Sequence, residues 1–217
     1  MFFEVWEPGW ISTRSYLLVL CWAAAIFLTL FMVCYKILKS FKEFDDILQQ
    51  QCDPKQYLEV ISYGVSYGKE LRLKGYQKSV FQLMQQRYAL ALMVNAQLEE
   101  SRRFLNDGWI GKKKNGIYKN TVFNLDLVEA YQQQDAERYN KLYDRAGRSF
   151  KKNRLFGVQK MFLDHQYKQA VDVLESYKVK SVYNNVTRLQ LLGLCYDNLG
   201  DRKRAEECMR YVLEYGN

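Results

Sequence analysis

The chain has 217 residues, with 32 lysines and arginines against 24 acids, and its net charge is +8. One histidine (His165) leaves no basis for a two-histidine metal centre. Five cysteines without a CxxC pair argue against a disulfide framework and fit a reducing compartment.

In chain order, the first element is a run of uncharged residues from Tyr16 to Tyr35, YLLVLCWAAAIFLTLFMVCY. As a helix rising ~1.5 Å per residue, such a run spans roughly 30 Å, the hydrocarbon thickness of a bilayer. Residues 16–35 are therefore expected to form a transmembrane helix, with Tyr16, Trp22, Phe27 and Tyr35 among its lipid-facing or interfacial aromatics. A cleaved signal peptide fits less well. Glu4 and Glu7 precede the run, and Lys36-Ile37-Leu38-Lys39 follows it where a small-x-small site would stand. Arg14 alone lies before the span, whereas Lys36, Lys39 and Lys42 lie after it. Positive-inside counting thus places the 15-residue N-terminal tail outside and the large C-terminal part in the cytoplasm.

Beyond the span, helical spacing of Phe41, Phe44, Ile47 and Leu48 predicts a juxtamembrane helical stalk over 36–52. Asp53-Pro54 then starts a new helix, with Asp53 as its cap and Tyr57, Val60, Ile61 and Val65 as its apolar face. A single long helix is expected from Tyr76 to Leu105, stopped by Asn106-Asp107-Gly108. Residues Gly108 to Lys119 read as a loop containing Lys112, Lys113 and Lys114. Shorter helices follow: Thr121–Tyr131, Ala136–Phe150, Leu155–Asp164, Tyr167–Tyr177, Val186–Leu199 and Arg202–Tyr215. Asn185 and Asp201 are the expected caps of the last two. Strand-like alternation is scarce, so residues 53–217 are expected to form an all-α domain.

Evenly spaced short helices call for a repeat search. With Val186 as position 1 of a 34-residue unit, Leu189 falls at 4, Leu192 at 7, Gly193 at 8, Tyr196 at 11, Gly200-Asp201 at 15 and 16, Ala205 at 20 and Met209 at 24. Small residues stand where paired helices cross, large ones fill between them, and Gly-Asp makes the turn. The segment 186–217 resembles the tetratricopeptide repeat (TPR) at these positions. Residues 151–185 match in their second half, through Tyr167, Ala170 and Leu174. A third hairpin, 120–150, keeps the helix lengths with Ala146 as its best match.

The resemblance implies an α-solenoid of helical hairpins that binds a partner protein or peptide in a groove lined by the first helix of each hairpin. Carried onto this sequence, the groove positions are Thr187, Gln190, Leu194 and Asp197 in the last repeat and Lys152, Leu155, Gln159 and Phe162 in the preceding one. Arg148, Lys151 and Arg154, with Lys152, form a basic patch suited to an acidic peptide or a C-terminal carboxylate. The repeat lacks a final solvating helix, which implies cover by a partner or by a second copy. No catalytic constellation, Walker loop or GxGxxG occurs, so neither an enzyme nor a cofactor is expected. Membrane lipid is the second expected partner. The alternative reading is a membrane-tethered nucleic-acid binder that uses Arg102–Phe104, the Lys112–Lys114 triplet and Arg145–Arg154.

Overall fold

The structure, a computed structural model, describes residues 9–111, 113 and 115–216. Among them every regular element is helical and no strand occurs. The chain divides into two compact units, residues 1–43 and 44–217.

Helix α1, Gly9–Gln49, is 41 residues long. An 18-residue stretch of it reaches a mean hydropathy of 2.4, and none of that stretch is buried. It is long and apolar enough to cross a membrane. Trp22, Phe27 and Tyr35 all stand exposed on it, as does Tyr16. The hydroxyl of Thr29 donates to the Ala25 carbonyl at 2.8 Å. That bond leaves no hydroxyl proton to satisfy in an apolar medium.

The second unit begins at Phe44, so the last turns of α1, Phe44–Gln49, belong to it. Leu48 is buried there with Tyr57 and Ile61. Helix α2, Pro54–Glu70, opens with Asp53 Oδ1 accepting the Gln56 N–H at 2.8 Å. Next come α3 (Tyr76–Val94) and α4 (Leu98–Arg103), which runs on into one π-helical turn, Phe104–Gly108. After these lie α5 (Gly116–Gln132), α6 (Ala136–Arg145) and the one-turn α7 (Arg148–Lys151). The chain closes with α8 (Arg154–Leu163), α9 (Tyr167–Ser176), α10 (Val182–Asn198) and α11 (Arg202–Tyr215). Packing follows chain order: α2 on α3, α3 on α5, α5 on α6, α6 on α8, α8 on α9, α9 on α10 and α10 on α11. The apolar core accordingly falls into three clusters in series, around Ile61 and Leu105, around Leu127 and Tyr139, and around Leu174 and Cys195. Burial pushes the Cys195 thiol up to about 11 and the Tyr131 phenol up to about 12, so both are neutral core groups at physiological pH.

One turn recurs between paired helices. Ala96, Gln134, His165 and Gly200 all take left-handed backbone, with φ of 58°, 55°, 58° and 81°. At each, the N–H of the left-handed residue donates to the carbonyl three residues back, and the next N–H donates to the carbonyl five back. All eight of these bonds measure 2.8–3.1 Å. This is the Schellman closure of a helix end. The four turn residues are 38, 31 and 35 positions apart. Seven residues before and five after each turn residue, the two helices touch. The buried pairs are Ala89 with Ser101, Leu127 with Tyr139, Val158 with Ala170, and Gly193 with Ala205. In the first pair Ser101 Oγ donates to the Ala89 carbonyl at 3.1 Å. In the last, a Cβ placed on Gly193 would lie 3.2 Å from Cys208 Cβ and 3.4 Å from the Ala205 oxygen.

Three expectations change. The long helix expected over Tyr76–Leu105 is a hairpin: Asn95 breaks it, its Nδ2 donating to the carbonyls of Ala91 and Pro54 at 2.8 and 2.7 Å. The place assigned to Ala146 is held by Tyr139, a large residue accommodated because its hydroxyl donates to the Phe156 carbonyl at 2.9 Å and lies 3.0 Å from Gln159 Oε1. Ala146 instead ends α6. Helix α10 starts a turn earlier than Val186, capped by Ser181, and Asn185 binds the Arg188 guanidinium at 3.0–3.1 Å.

Candidate functional site

A cleft of about 500 Å³ opens between α3, α5 and the α6–α7 bend, lined by Gln86, Lys119, Asn120, Phe123, Asn124, Arg145, Ala146, Gly147 and Phe150. Local sequence builds each wall. Asn115 accepts the Tyr118 N–H at 2.7 Å, starting α5 so that Lys119, Asn120, Phe123 and Asn124 share one face. On the other side, Ala146 and Gly147 leave helical backbone and let α7 present Phe150. Phe150 meets Phe123 edge-on at 5.1 Å and stacks on Phe156 at 4.2 Å, a rigid aromatic floor.

The lining holds two cations, Lys119 and Arg145, three side-chain amides and no carboxylate. Asn124 Oδ1 is buried without a hydrogen-bond partner. A buried acceptor left unpaired costs roughly 1–3 kcal/mol, which a ligand N–H would recover. The cleft therefore suits a chain segment that offers a donor together with a negative group, beside apolar surface.

Gln86 and Asn124 occupy one register position, ten residues before their turn residues. Leu155 and Gln190 are its later counterparts. The cleft shares that register with the groove expected from the sequence, but none of its lining residues is one of the expected groove residues. Of the expected groove residues, Leu155 is buried in the core, and Gln159 is engaged with Tyr139. Phe162 packs between Tyr131 and Tyr167, at 6.3 and 5.5 Å. Thr187 donates to the Tyr183 carbonyl at 3.0 Å, and Lys152 and Gln190 are exposed. Leu194 and Asp197 border a separate cleft of about 270 Å³ with Arg202, Glu206 and Met209.

Lys151 donates to the Asp144 carbonyl at 2.9 Å and lies over the Tyr143 ring, Arg154 lies over the Tyr177 ring, and Arg148 is exposed. Lys113 donates to the Asn106 carbonyl, and Lys112 and Lys114 lie outside the described residues. Sequence reasoning missed Gln86, Lys119, Asn120 and Asn124, and took Arg145 only as part of the basic stretch Arg145–Arg154. The usable signal was the register of the first two hairpins, hidden in the first of them by Ala96, which does not look like a turn residue. Comparison with family models, with curated proteins and with solved structures found no match for this chain.

Proposed function

We propose that this protein is a single-pass membrane-anchored interaction module, held by α1, whose TPR-like hairpins bind an extended acidic peptide or a C-terminal carboxylate. The cytoplasm is the side on which the charge flanking the apolar run would place the hairpins. The observation that carries the reading is the shared register. The same turn and the same crossing pair recur four times, and the first helices of the first two hairpins bring Gln86 and Asn124 into one cation-lined cleft. Stacked hairpins of this kind create an extended surface for a peptide rather than a closed reaction chamber. Lys119 and Arg145 attract the negative groups, the amides bind the peptide backbone, and Phe123 with Phe150 takes an apolar side chain.

Fluorescence anisotropy on the full chain in nanodiscs tests this. Labelled ten-residue peptides ending in acidic residues are compared with the same peptides amidated and neutralised. Acidic peptides should bind, and Lys119→Glu with Arg145→Glu should weaken them at least about tenfold, or 1.4 kcal/mol. Equal binding of acidic and neutralised peptides, or no effect of the double charge reversal, contradicts the proposal.

A further inference from the structure

The surface at the C-terminal end of α2 combines exposed apolar residues with charge of one sign. Tyr63 and Tyr67, one turn apart, are 76% and 57% exposed, and Leu71 and Tyr76 are 46% and 63% exposed. Ile110, 49% exposed, faces Leu71 across a cleft of about 310 Å³. Single exposed apolar residues are ordinary on a protein surface. Here they are interleaved with charge of one sign: residues 63–78 carry Lys69, Arg72, Lys74 and Lys78 against Glu70 alone. Lys69 turns over the Phe104 ring. Arg72, Lys74 and Lys78 are exposed, and no carboxylate among the described residues pairs with them. Tyrosines with apolar rings and wet hydroxyls, set among basic side chains, are the composition that partitions to a lipid headgroup layer.

We propose that the face formed by Tyr63, Tyr67, Leu71, Arg72, Lys74 and Tyr76 docks on the anionic phospholipid surface of the membrane that α1 crosses. The proposal rests on the anchored reading and adds a second, charge-dependent contact that fixes how the hairpins are presented. The tyrosine rings and Leu71 enter the headgroup layer, and the three free cations meet lipid phosphates and carboxylates.

Power-saturation electron paramagnetic resonance on the full chain in vesicles tests it. A nitroxide is placed at Ser66→Cys, an exposed position beside the tyrosines that removes none of them, with Cys21 and Cys34 replaced by serine. In vesicles containing phosphatidylserine this label should lose most of its collisions with a water-soluble nickel chelate, and it should regain them in pure phosphatidylcholine. Arg72→Glu with Lys74→Glu should restore them in the anionic vesicles too, while a label at Gln190→Cys stays open to nickel throughout. A Ser66 label as open to nickel as the Gln190 label in anionic vesicles overturns the proposal. So does shielding that survives the charge reversal. A separate label on Cys21 reports the anchor itself. If it is shielded from nickel while Ser66 is not, only the docking surface falls. If Cys21 is open to nickel, the anchored reading falls and the docking surface with it.

Discussion

Four residues with positive φ set the architecture, and three of them are not glycine. A residue with a Cβ in left-handed backbone costs about 1 kcal/mol more than glycine there. Two of the three recover part of that cost locally. Gln134 Nε2 donates to the Tyr131 carbonyl at 3.0 Å, and His165 Nδ1 lies 2.7 Å from the Tyr167 hydroxyl. Ala96 has no side chain able to do so. Ala96→Gly should therefore raise stability by about 0.5–1 kcal/mol, and Gly200→Ala should lower it by about 1 kcal/mol or more. Thermal unfolding checks this, with about 2–4 °C expected per kcal/mol for a chain of this size. The same change at His165 should gain less than at Ala96, because it also removes the ring contact with Tyr167.

Between elements, polar bridges join helices where apolar packing alternates with solvent. Arg102 of α4 reaches Asp126 and Glu129 of α5, both at 2.6 Å, and Arg138 of α6 joins Glu129 at 3.2 Å. One guanidinium thus links two hairpins. Arg102→Met keeps the stem but leaves Glu129, whose side chain is 17% exposed, facing Asp126 with one cation fewer. A loss of about 1–2 kcal/mol is expected in urea unfolding, smaller at high salt, and the m-value should not change. The helices legible in the sequence were those with strong local signals. Asp53 and Asp201 cap as expected, α11 has the expected ends, and Gly200 marks the last turn without ambiguity. The hairpin α3–α4 was hidden because Ala96 reads as a helix former, whereas the break between Tyr131 and Ala136 was expected and holds Gln134. At Ala96, hydrogen bonding and packing across the pair override propensity. The cleft was missed for the same reason. Its residues are ordinary amides and cations until the register of α3 and α5 brings Gln86 and Asn124 together.

For the whole molecule, the sequence pattern and the structure agree on an apolar helix followed, among the described residues, by helices only; in the second unit successive helices pack on one another and the start of α10 also returns to the first core cluster through Tyr183. Packing between successive helices means that each hairpin leans on its neighbours, so stability is spread over interfaces, and under the proposed function a long face is left for a partner. Such a face works as a recruiter only if something fixes it in place, and the exposed stretch of α1 is what would do so. Vesicle flotation after alkaline carbonate washing tests that dependence most directly. It compares the unaltered chain with one carrying Leu20→Lys, Ala24→Lys and Leu28→Lys. Each central lysine costs about 2.5–3.5 kcal/mol on insertion scales, so three should abolish integration. The account expects the unaltered chain to float and to resist the wash, and the lysine variant to remain in the soluble fraction. An unaltered chain released by carbonate, or a lysine variant that floats as well as it does, would contradict the account.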